Sequence, residues 1–137
     1  MANLVYNSFK AKIGDGSIDW DTSVIKVALV TSSYVPDADT HTIFATHVTN
    51  EVVGTGYTAG GATLTTIAPT VDIVNDVAKY DADDVTWPSS TITARGAVVY
   101  EATNGHLICY CDFITDKSSS DGNFTIAWHT DGVFKIA

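Results

Sequence analysis

Basic residues, cysteines and long apolar runs are scarce in this chain, and each scarcity narrows what the protein can be. Only 7 Lys and Arg stand against 16 Asp and Glu, which gives a net charge of −9, and the 7 are scattered along the sequence. Such a surface repels phosphate groups, so we expect no direct binding to nucleic acid or to an anionic membrane. No stretch approaches the roughly 18 consecutive apolar residues of a membrane-spanning helix.

Cysteine is equally scarce, and the 2 cysteines, Cys109 and Cys111, lie on one predicted strand. Side chains two residues apart on a strand share a face but do not approach each other as a disulfide requires. We therefore predict two buried, reduced thiols. The 4 histidines add ligand types that suit zinc. The sequence has no C-x-x-C pair and no standard ligand interval, however, so we predict neither a metal site nor a cofactor.

The first residues, Met1–Gly16, contain no continuous apolar segment and no small-residue cleavage site of the kind that marks a signal peptide. We expect an intracellular, unprocessed product. Hydrophobic residues make up 45% of the chain and charged residues 17%. This balance is typical of a chain that folds on its own around one core.

The main pattern in the sequence is a series of short segments in which apolar and polar residues alternate. Phe124, Ile126 and Trp128 fall on one face of such a segment, and the polar residues between them fall on the other. This period of two is typical of a strand with one buried face. We expect Trp128 to lie in the core because it falls on the apolar side.

Turn residues and apolar patterns divide the chain into elements. We predict an N-terminal helix over Leu4–Ile13, a central strand over Val24–Thr31 that is covered on both faces, and a short helical turn over Asp37–His47. Turns are predicted at Pro88–Ser90, Asn104–Gly105 and Asp131–Gly132, with a loop over Thr115–Asn123. Further strands are predicted at Glu51 leading into a glycine loop, Ala62–Ala68, Val71–Tyr80, Ala82–Trp87, Thr91–Ala102, His106–Phe113, Phe124–Thr130 and Val133–Ala137.

About eight or nine short strands without a long helix between them indicate an all-β protein. We predict a single domain over residues 1–137 that is an antiparallel β-sandwich or jelly roll, or a small barrel, with a short N-terminal helix. The last predicted strand runs to the final residue, so we expect the C-terminal segment to be paired into a sheet.

A glycine-rich loop over Gly54–Gly61 is the most distinctive local motif. A phosphate-binding loop would need a Lys and a following helix, whereas here a strand follows and no Lys is near. Glycines serve instead where φ is positive or where another backbone approaches closely, including that of a neighbouring chain. An alternative is that Tyr57 packs on its own sheet. The candidate interface residues are Tyr34, Val35, Gly54, Gly56, Tyr57, Gly60 and Gly61.

No set of reactive residues indicates an enzyme. The chain has no G-x-S-x-G nucleophile motif and no cysteine with an orienting histidine. Acidic pairs such as Asp37 with Asp39 and Asp116 with Asp121 do not follow the EF-hand order. We predict that the protein is not an enzyme, and the sequence leaves open whether a loop binds calcium or carbohydrate.

A series of short motifs occurs in a fixed order from Val24 to the end of the chain. The motifs are VALVTSSY-x-P over Val27–Pro36, NEV-x-GTGYTAGG over Asn50–Gly61, DADDV-x-W over Asp81–Trp87, STITAR over Ser90–Arg95, DF at Asp112–Phe113 and SSS-x-G-x-FTI over Ser118–Ile126. This series resembles a family of small virion structural proteins of tailed bacteriophages.

The resemblance implies a capsid decoration or cement protein that is made in the host cytoplasm and binds the outer surface of the virion head. Its partners would then be the major capsid protein and further copies of itself in a homo-oligomer. A tail or tail-fibre protein that binds a receptor or carbohydrate is the second alternative, and a small hydrolase is the third. The resemblance carries over no catalytic residue.

Overall fold

A computed structural model describes residues 2–137 and is built almost entirely of strands. Strands account for 46% of the residues and helices for 9%, which confirms the predicted all-β, sandwich-like class. In chain order the elements are β1 Leu4–Val5, α1 Asn7–Gly14, β2 Ile25–Val30, α2 Phe44–His47, β3 Ala62–Thr63, β4 Ala68–Asp72, β5 Val77–Asp81, β6 Val85–Ser90, β7 Thr93–Glu101, β8 Leu107–Ser118, β9 Gly122–Ile126 and β10 Phe134–Ile136.

The strands form one large and two small antiparallel sheets. The large sheet has the order β1-β8-β7-β2-β3, and the small sheets have the orders β10-β5-β4 and β6-β9. The predicted turn at Asn104–Gly105 closes the β7–β8 hairpin, where the carboxylate of Glu101 accepts hydrogen bonds from the backbone N–H groups of Thr103 and Asn104. This hairpin forms the middle of the large sheet together with β2.

Strand β2 is buried on both faces, as its β-branched sequence predicts. Ile25, Val27 and Leu29 belong to the main core, which also contains the inner faces of the two small sheets. Ala28 and Val30 point the other way, into a second core beneath the segment that contains α2. A strand that is apolar on both faces must be covered twice, and this requirement produces the layered fold.

Phe134 of β10 connects the C-terminal strand to the main core. Its ring stacks on Tyr80 at a centroid distance of 4.6 Å and meets the edges of Phe9 and Trp20 at 5.2 Å each. Edge-to-face and stacked aromatic pairs contribute about 0.5–1.5 kcal/mol each beyond the area they bury. The predicted pairing of the C-terminal segment is confirmed, because Ile136 pairs with Ala78 of β5.

Some element boundaries differ from the sequence predictions because turn chemistry and tertiary pairing override local pattern. The single strand predicted over Val71–Tyr80 is wrong, since the chain reverses between β4 and β5 around the carboxylate of Asp72. The helix predicted from Leu4 is too long at its start, because Leu4 and Val5 pair with β8 instead. The strand predicted over Ala62–Ala68 ends at Thr63.

Three further differences concern turns and loops. The turn predicted at Pro88–Ser90 is part of β6, where an irregularity in the pairing with β9 accommodates the proline. The loop predicted over Thr115–Asn123 is shorter, because β8 continues to Ser118. The Asp131–Gly132 turn is present, but β9 and β10 on either side belong to different sheets, so it does not close a hairpin.

The close approach at Gly61 gives a testable consequence of this packing. A Cβ at Gly61 would lie 1.8 Å from the carbonyl oxygen of Val27, and its φ is +77°, whereas a Cβ at Gly14 would meet nothing within 4 Å. We expect Gly61→Ala to lower the free energy of unfolding by at least roughly 1–3 kcal/mol. The matched Gly14→Ala variant should be neutral or more stable by roughly 0.5–1 kcal/mol. Urea unfolding of both variants measures this, and equal stabilities would contradict the account.

Candidate interaction surfaces

The first predicted interface residue, Tyr34, does not lie on the surface. Its side chain is 4% exposed, and its hydroxyl lies 2.7 Å from the hydroxyl of Tyr6 in the second core. Its ring also meets the edge of the Tyr110 ring at a centroid distance of 5.8 Å. The expectation that Tyr34 is exposed is therefore wrong. The physical reason is that this tyrosine helps to cover the outer face of β2.

Tyr57 packs on its own sheet, which is the second of the two alternatives for this residue. Its hydroxyl donates a hydrogen bond to Oε1 of Glu51 at 2.7 Å and accepts one from the backbone N–H of Leu29 at 2.9 Å. Burial, reinforced by the Glu51 carboxylate, raises the pKa of Tyr57 well above its ordinary value. The residue therefore fastens the glycine loop to β2.

Three of the four glycines of the loop, Gly54, Gly56 and Gly61, approach the protein's own backbone. A Cβ on Gly54 would lie 2.5 Å from the carbonyl oxygen of Thr91, and one on Gly56 would lie 2.8 Å from the Cα of Ser90. The N–H of Gly60 donates to Oε1 of Glu51 at 2.6 Å, and Gly61 lies against β2 as described above. Positive φ and close approach are both found, as the motif predicts, but the approaching backbone belongs to the same chain.

Val35 is the candidate interface residue whose apolar side chain is exposed, at 75%. Two further apolar residues that the sequence analysis did not single out are exposed, Val53 at 96% and Ile114 at 75%. Val53 closely follows Glu51, which pairs with Val30 at the end of β2, and Ile114 closely follows Asp112 of β8. At this end β2 stops at Val30, which pairs with Gly96, and Gly96 in turn pairs with Asp112. We call Val35, Val53 and Ile114 the end surface.

Ile114 lies in an irregular stretch of β8 with an uncommon backbone conformation. One residue of β7, Arg95, lies opposite the four residues 113–116 of β8, and Ile114 has φ +72°. A β-branched residue rarely adopts this left-handed conformation because its Cβ crowds the backbone. Oδ1 of Asp112 holds the stretch in place by accepting hydrogen bonds from the backbone N–H of Ile114 at 2.7 Å and from Nε of Arg95 at 2.9 Å.

A cleft of about 430 Å³ lies between β8 and β9, and Phe113, the residue before Ile114, is part of its lining. Its wall is partly aromatic and partly polar, with one cationic side chain. The lining residues are Phe113, Lys117, Ser118, Asn123, Phe124, Thr125, Ile126 and Ala127. The cleft adds a recess near the exposed Ile114. The end surface therefore has both a projecting and a recessed part, to which a partner protein can be complementary in shape.

The cysteines and two of the histidines noted in the sequence pack against other side chains of the protein. Cys109 and Cys111 are free and buried, as predicted, and burial raises the pKa of the Cys109 thiol. The rings of His41 and His47 stack at 5.2 Å. Among residues 2–137, no three His, Cys, Asp or Glu side chains lie close enough together to hold a metal ion. Neither helix of the described chain is long and apolar enough to span a membrane.

The tryptophans do not form an exposed aromatic platform. Trp20 and Trp87 are buried, and Trp128 is half-buried against the main core with its Nε1 donating to the carbonyl oxygen of Asp83 at 3.0 Å. The prediction that Trp128 packs with the core is thus confirmed in part, because the residue contacts the main core but remains partly exposed.

Comparisons with known proteins found no match among protein-family models, curated proteins or solved structures. What this chain does is therefore inferred from its own sequence and geometry.

The Tyr57 hydroxyl provides a test of the fastened loop. Tyr57→Phe leaves the Leu29 N–H and the Glu51 carboxylate without this partner, so we expect it to lower the free energy of unfolding by roughly 1–3 kcal/mol. Tyr80→Phe is the matched control, because the Tyr80 hydroxyl makes no hydrogen bond within residues 2–137. Urea unfolding compares the two variants. A Tyr57→Phe protein as stable as the control would show that the loop is not fastened here.

The backbone at Ile114 gives a second test. Asn tolerates the left-handed region, so Ile114→Asn should raise the free energy of unfolding by about 1–2 kcal/mol. Val53→Asn is the matched control, since Val53 is also a largely exposed β-branched residue, at 96% against 75% for Ile114, but lacks a positive φ. The control should change stability by less than about 0.5 kcal/mol. If Ile114→Asn is no more stable than wild type, the isoleucine is not strained.

Proposed function

We propose that this chain is a non-enzymatic virion structural protein of a tailed bacteriophage, a decoration protein that binds the outer surface of the capsid head through its end surface. The observation that carries the proposal is Ile114, an exposed β-branched residue in a backbone conformation that costs stability. While the Ile114 side chain is exposed to water, it adds nothing to the stability of the folded domain. A partner that covers it supplies the compensating burial.

The end surface has the composition of a protein-binding site. Its three members are aliphatic and exposed, and the ion pair of Arg95 with Asp112, at 2.9 Å, lies next to Ile114 and lines a shallow pocket together with Val35. An apolar centre with a polar, hydrogen-bonded rim is the usual anatomy of protein interfaces. The hydrogen bonds that the Asp112 carboxylate accepts also fix the backbone at Ile114 before binding, which lowers the entropy lost on association.

A shell partner fits the rest of the molecule. A cement protein acts by adding contact area across the joints between shell subunits, so it needs a rigid scaffold and no chemistry. The net charge of −9 keeps many copies soluble and discourages binding to the packaged genome. The ordered motifs from Val24 to the end of the chain, which resemble those of small virion structural proteins of tailed bacteriophages, support a phage particle as the assembly.

The alternative of a tail or tail-fibre protein that binds carbohydrate has less support. Sugar-binding faces commonly use exposed aromatic rings, whereas Trp20 and Trp87 are buried in this fold. The experiment below separates the two locations directly.

The test is a count and a location in purified particles of the phage that encodes the chain. We expect a copy number comparable to that of the major capsid protein, distributed over the head and visible by electron microscopy. Heads stripped of the protein should release DNA at lower temperature than complete heads, and added wild-type protein should restore their resistance. A few copies confined to the tail would support the tail alternative instead, and absence from the particle would refute both.

Variants of the end surface test where the protein binds. Val35→Asp combined with Val53→Asp places charges in the proposed contact, so we expect this variant to lose binding to stripped heads by at least tenfold. Val24→Asp is the matched control, because Val24 is an exposed valine at the opposite end of β2. Equal loss of binding by the control would show that the end surface is not the contact.

A further inference from the structure

A second pair of apolar features lies away from the end surface, one protruding and one recessed. The protruding feature is the loop between β4 and β5, residues 73–76, which we call the hairpin tip. The recessed feature is a groove of about 340 Å³ between α1 and β10, which we call the α1–β10 groove. It is lined by Val5, Phe9, Lys10, Ile13, Phe134, Lys135 and Ile136.

The hairpin tip presents two aliphatic side chains in a fixed geometry. Ile73 is 86% exposed and Val74 is 88% exposed. Beneath them, Oδ1 of Asp72 accepts hydrogen bonds from the backbone N–H groups of Val74 and Asn75 at 3.1 Å each. Oδ2 of Asp72 accepts from Nδ2 of Asn75 and from Nζ of Lys79, both at 2.8 Å. The tip is therefore ordered before it meets any partner, which reduces the entropy cost of binding.

The groove offers a matching apolar recess. Its apolar lining is formed by Val5, Phe9, Ile13, Phe134 and Ile136, and its two charged lining residues are both lysines, Lys10 and Lys135. Its volume is sufficient for two branched aliphatic side chains. Because its lining is apolar apart from the two lysines, the groove suits an apolar segment that also carries a negative charge.

The α1–β10 groove and the hairpin tip carry opposite charges when the side chains that already form ion pairs within the chain are left out. Lys135 is paired with Asp131 at 2.9 Å, and Lys79 is paired with Asp72. Lys10 at the groove binds only the neutral amide oxygen of Asn7 and has no ion pair within residues 2–137. Asp76 at the tip likewise has no ion pair among the described side chains. One cation and one anion therefore remain available for each other.

We propose that the occupant of the α1–β10 groove is the hairpin tip of a second copy of this chain, with Ile73 and Val74 in the recess and Asp76 facing Lys10. Ile136 at the groove pairs with Ala78, only two residues from Asp76, so tip and groove lie on the same edge of the molecule. A two-fold axis then lets two copies exchange tips reciprocally, and the interface closes.

Pairing of sheet edges is the competing way in which two copies can associate through this hairpin. Strand β4 is the open edge of its sheet, but it contains Pro69, which has no N–H to donate. Proline at an edge is a common device against edge-to-edge pairing. The hairpin therefore contacts its partner through its tip rather than by extending the sheet. This contact goes beyond the proposed function, because it concerns the free protein and holds for a head or a tail component alike.

Analytical ultracentrifugation over a range of concentrations tests the proposal with purified protein. Wild type should show a reversible monomer–dimer equilibrium. Ile73→Ser combined with Val74→Ser should raise the dissociation constant at least tenfold. Val35→Ser combined with Val53→Ser is the matched control and should associate as wild type does. Far-UV circular dichroism checks that each variant is folded, which we expect because the changed side chains are exposed in the monomer.

A charge exchange tests the register of the contact. Lys10→Glu and Asp76→Lys should each weaken association, and the two together should restore it toward the wild-type value, because the ion pair is re-formed with reversed signs. A wild-type protein that is monomeric at all accessible concentrations would overturn the proposal. So would a tip variant that associates as wild type does, or a charge exchange without recovery. A tip-dependent trimer or larger ring would overturn the two-fold arrangement.

Discussion

The burial of β2 on both faces is the constraint on which the rest of this structure depends. Its six residues pair in unbroken register with β7 from Ile25 to Val30, and every side chain except that of Lys26 lies in one of two separate cores on opposite faces. A sheet whose central strand is apolar on both sides is stable only when both sides are covered. On one side α1 and the two small sheets supply the cover, and on the other side the segment with Tyr34 and Phe44 does so.

The need to cover β2 explains why the glycine loop, Gly54–Gly61, is not an exposed surface that a partner can contact. Covering the edge of β2 requires the chain after Glu51 to lie directly on the strand, and only a residue without a Cβ fits against the Val27 carbonyl. Tyr57 and Glu51 then satisfy the polar groups that this approach buries. A glycine-rich motif with a tyrosine thus looks the same in sequence whether it binds a neighbouring chain or packs on its own sheet. Only the packing in the folded protein distinguishes these two cases.

The sequence predicted those parts of the fold that local pattern determines. β2, β7 and the paired C-terminal strand follow from runs and alternation, and the buried pair Cys109 and Cys111 follows from the period of a strand. The reversal between Asp72 and Val77 was missed because Val71–Tyr80 has the β-branched composition of a strand. Asp72, Asn75 and Asp76 carry the turn signal, since Asp72 caps the loop and Asp76 has φ +60°.

The exposed apolar residues could not be predicted in the same way. Ile114 directly follows the predicted strand His106–Phe113, and nothing in the sequence indicates that β7 supplies one residue here where β8 supplies four. The positive φ of Ile114 belongs to this irregular stretch, which depends on register across two strands rather than on local sequence. The tip residues Ile73 and Val74 are exposed for a different reason, because the loop extends beyond the end of its sheet.

The two proposed contacts therefore arise from two different departures from regular sheet structure. One is an irregular stretch within a long strand, and the other is a tight loop fixed by a single aspartate. Neither contains a residue that the main core needs, since Val35, Val53, Ile114, Ile73 and Val74 all lie outside both cores. Because the core does not constrain these positions, burial by a partner is the reason that we propose for the aliphatic side chains found there. The end surface and the hairpin tip share no residue, so a copy bound through one keeps the other available for its neighbour.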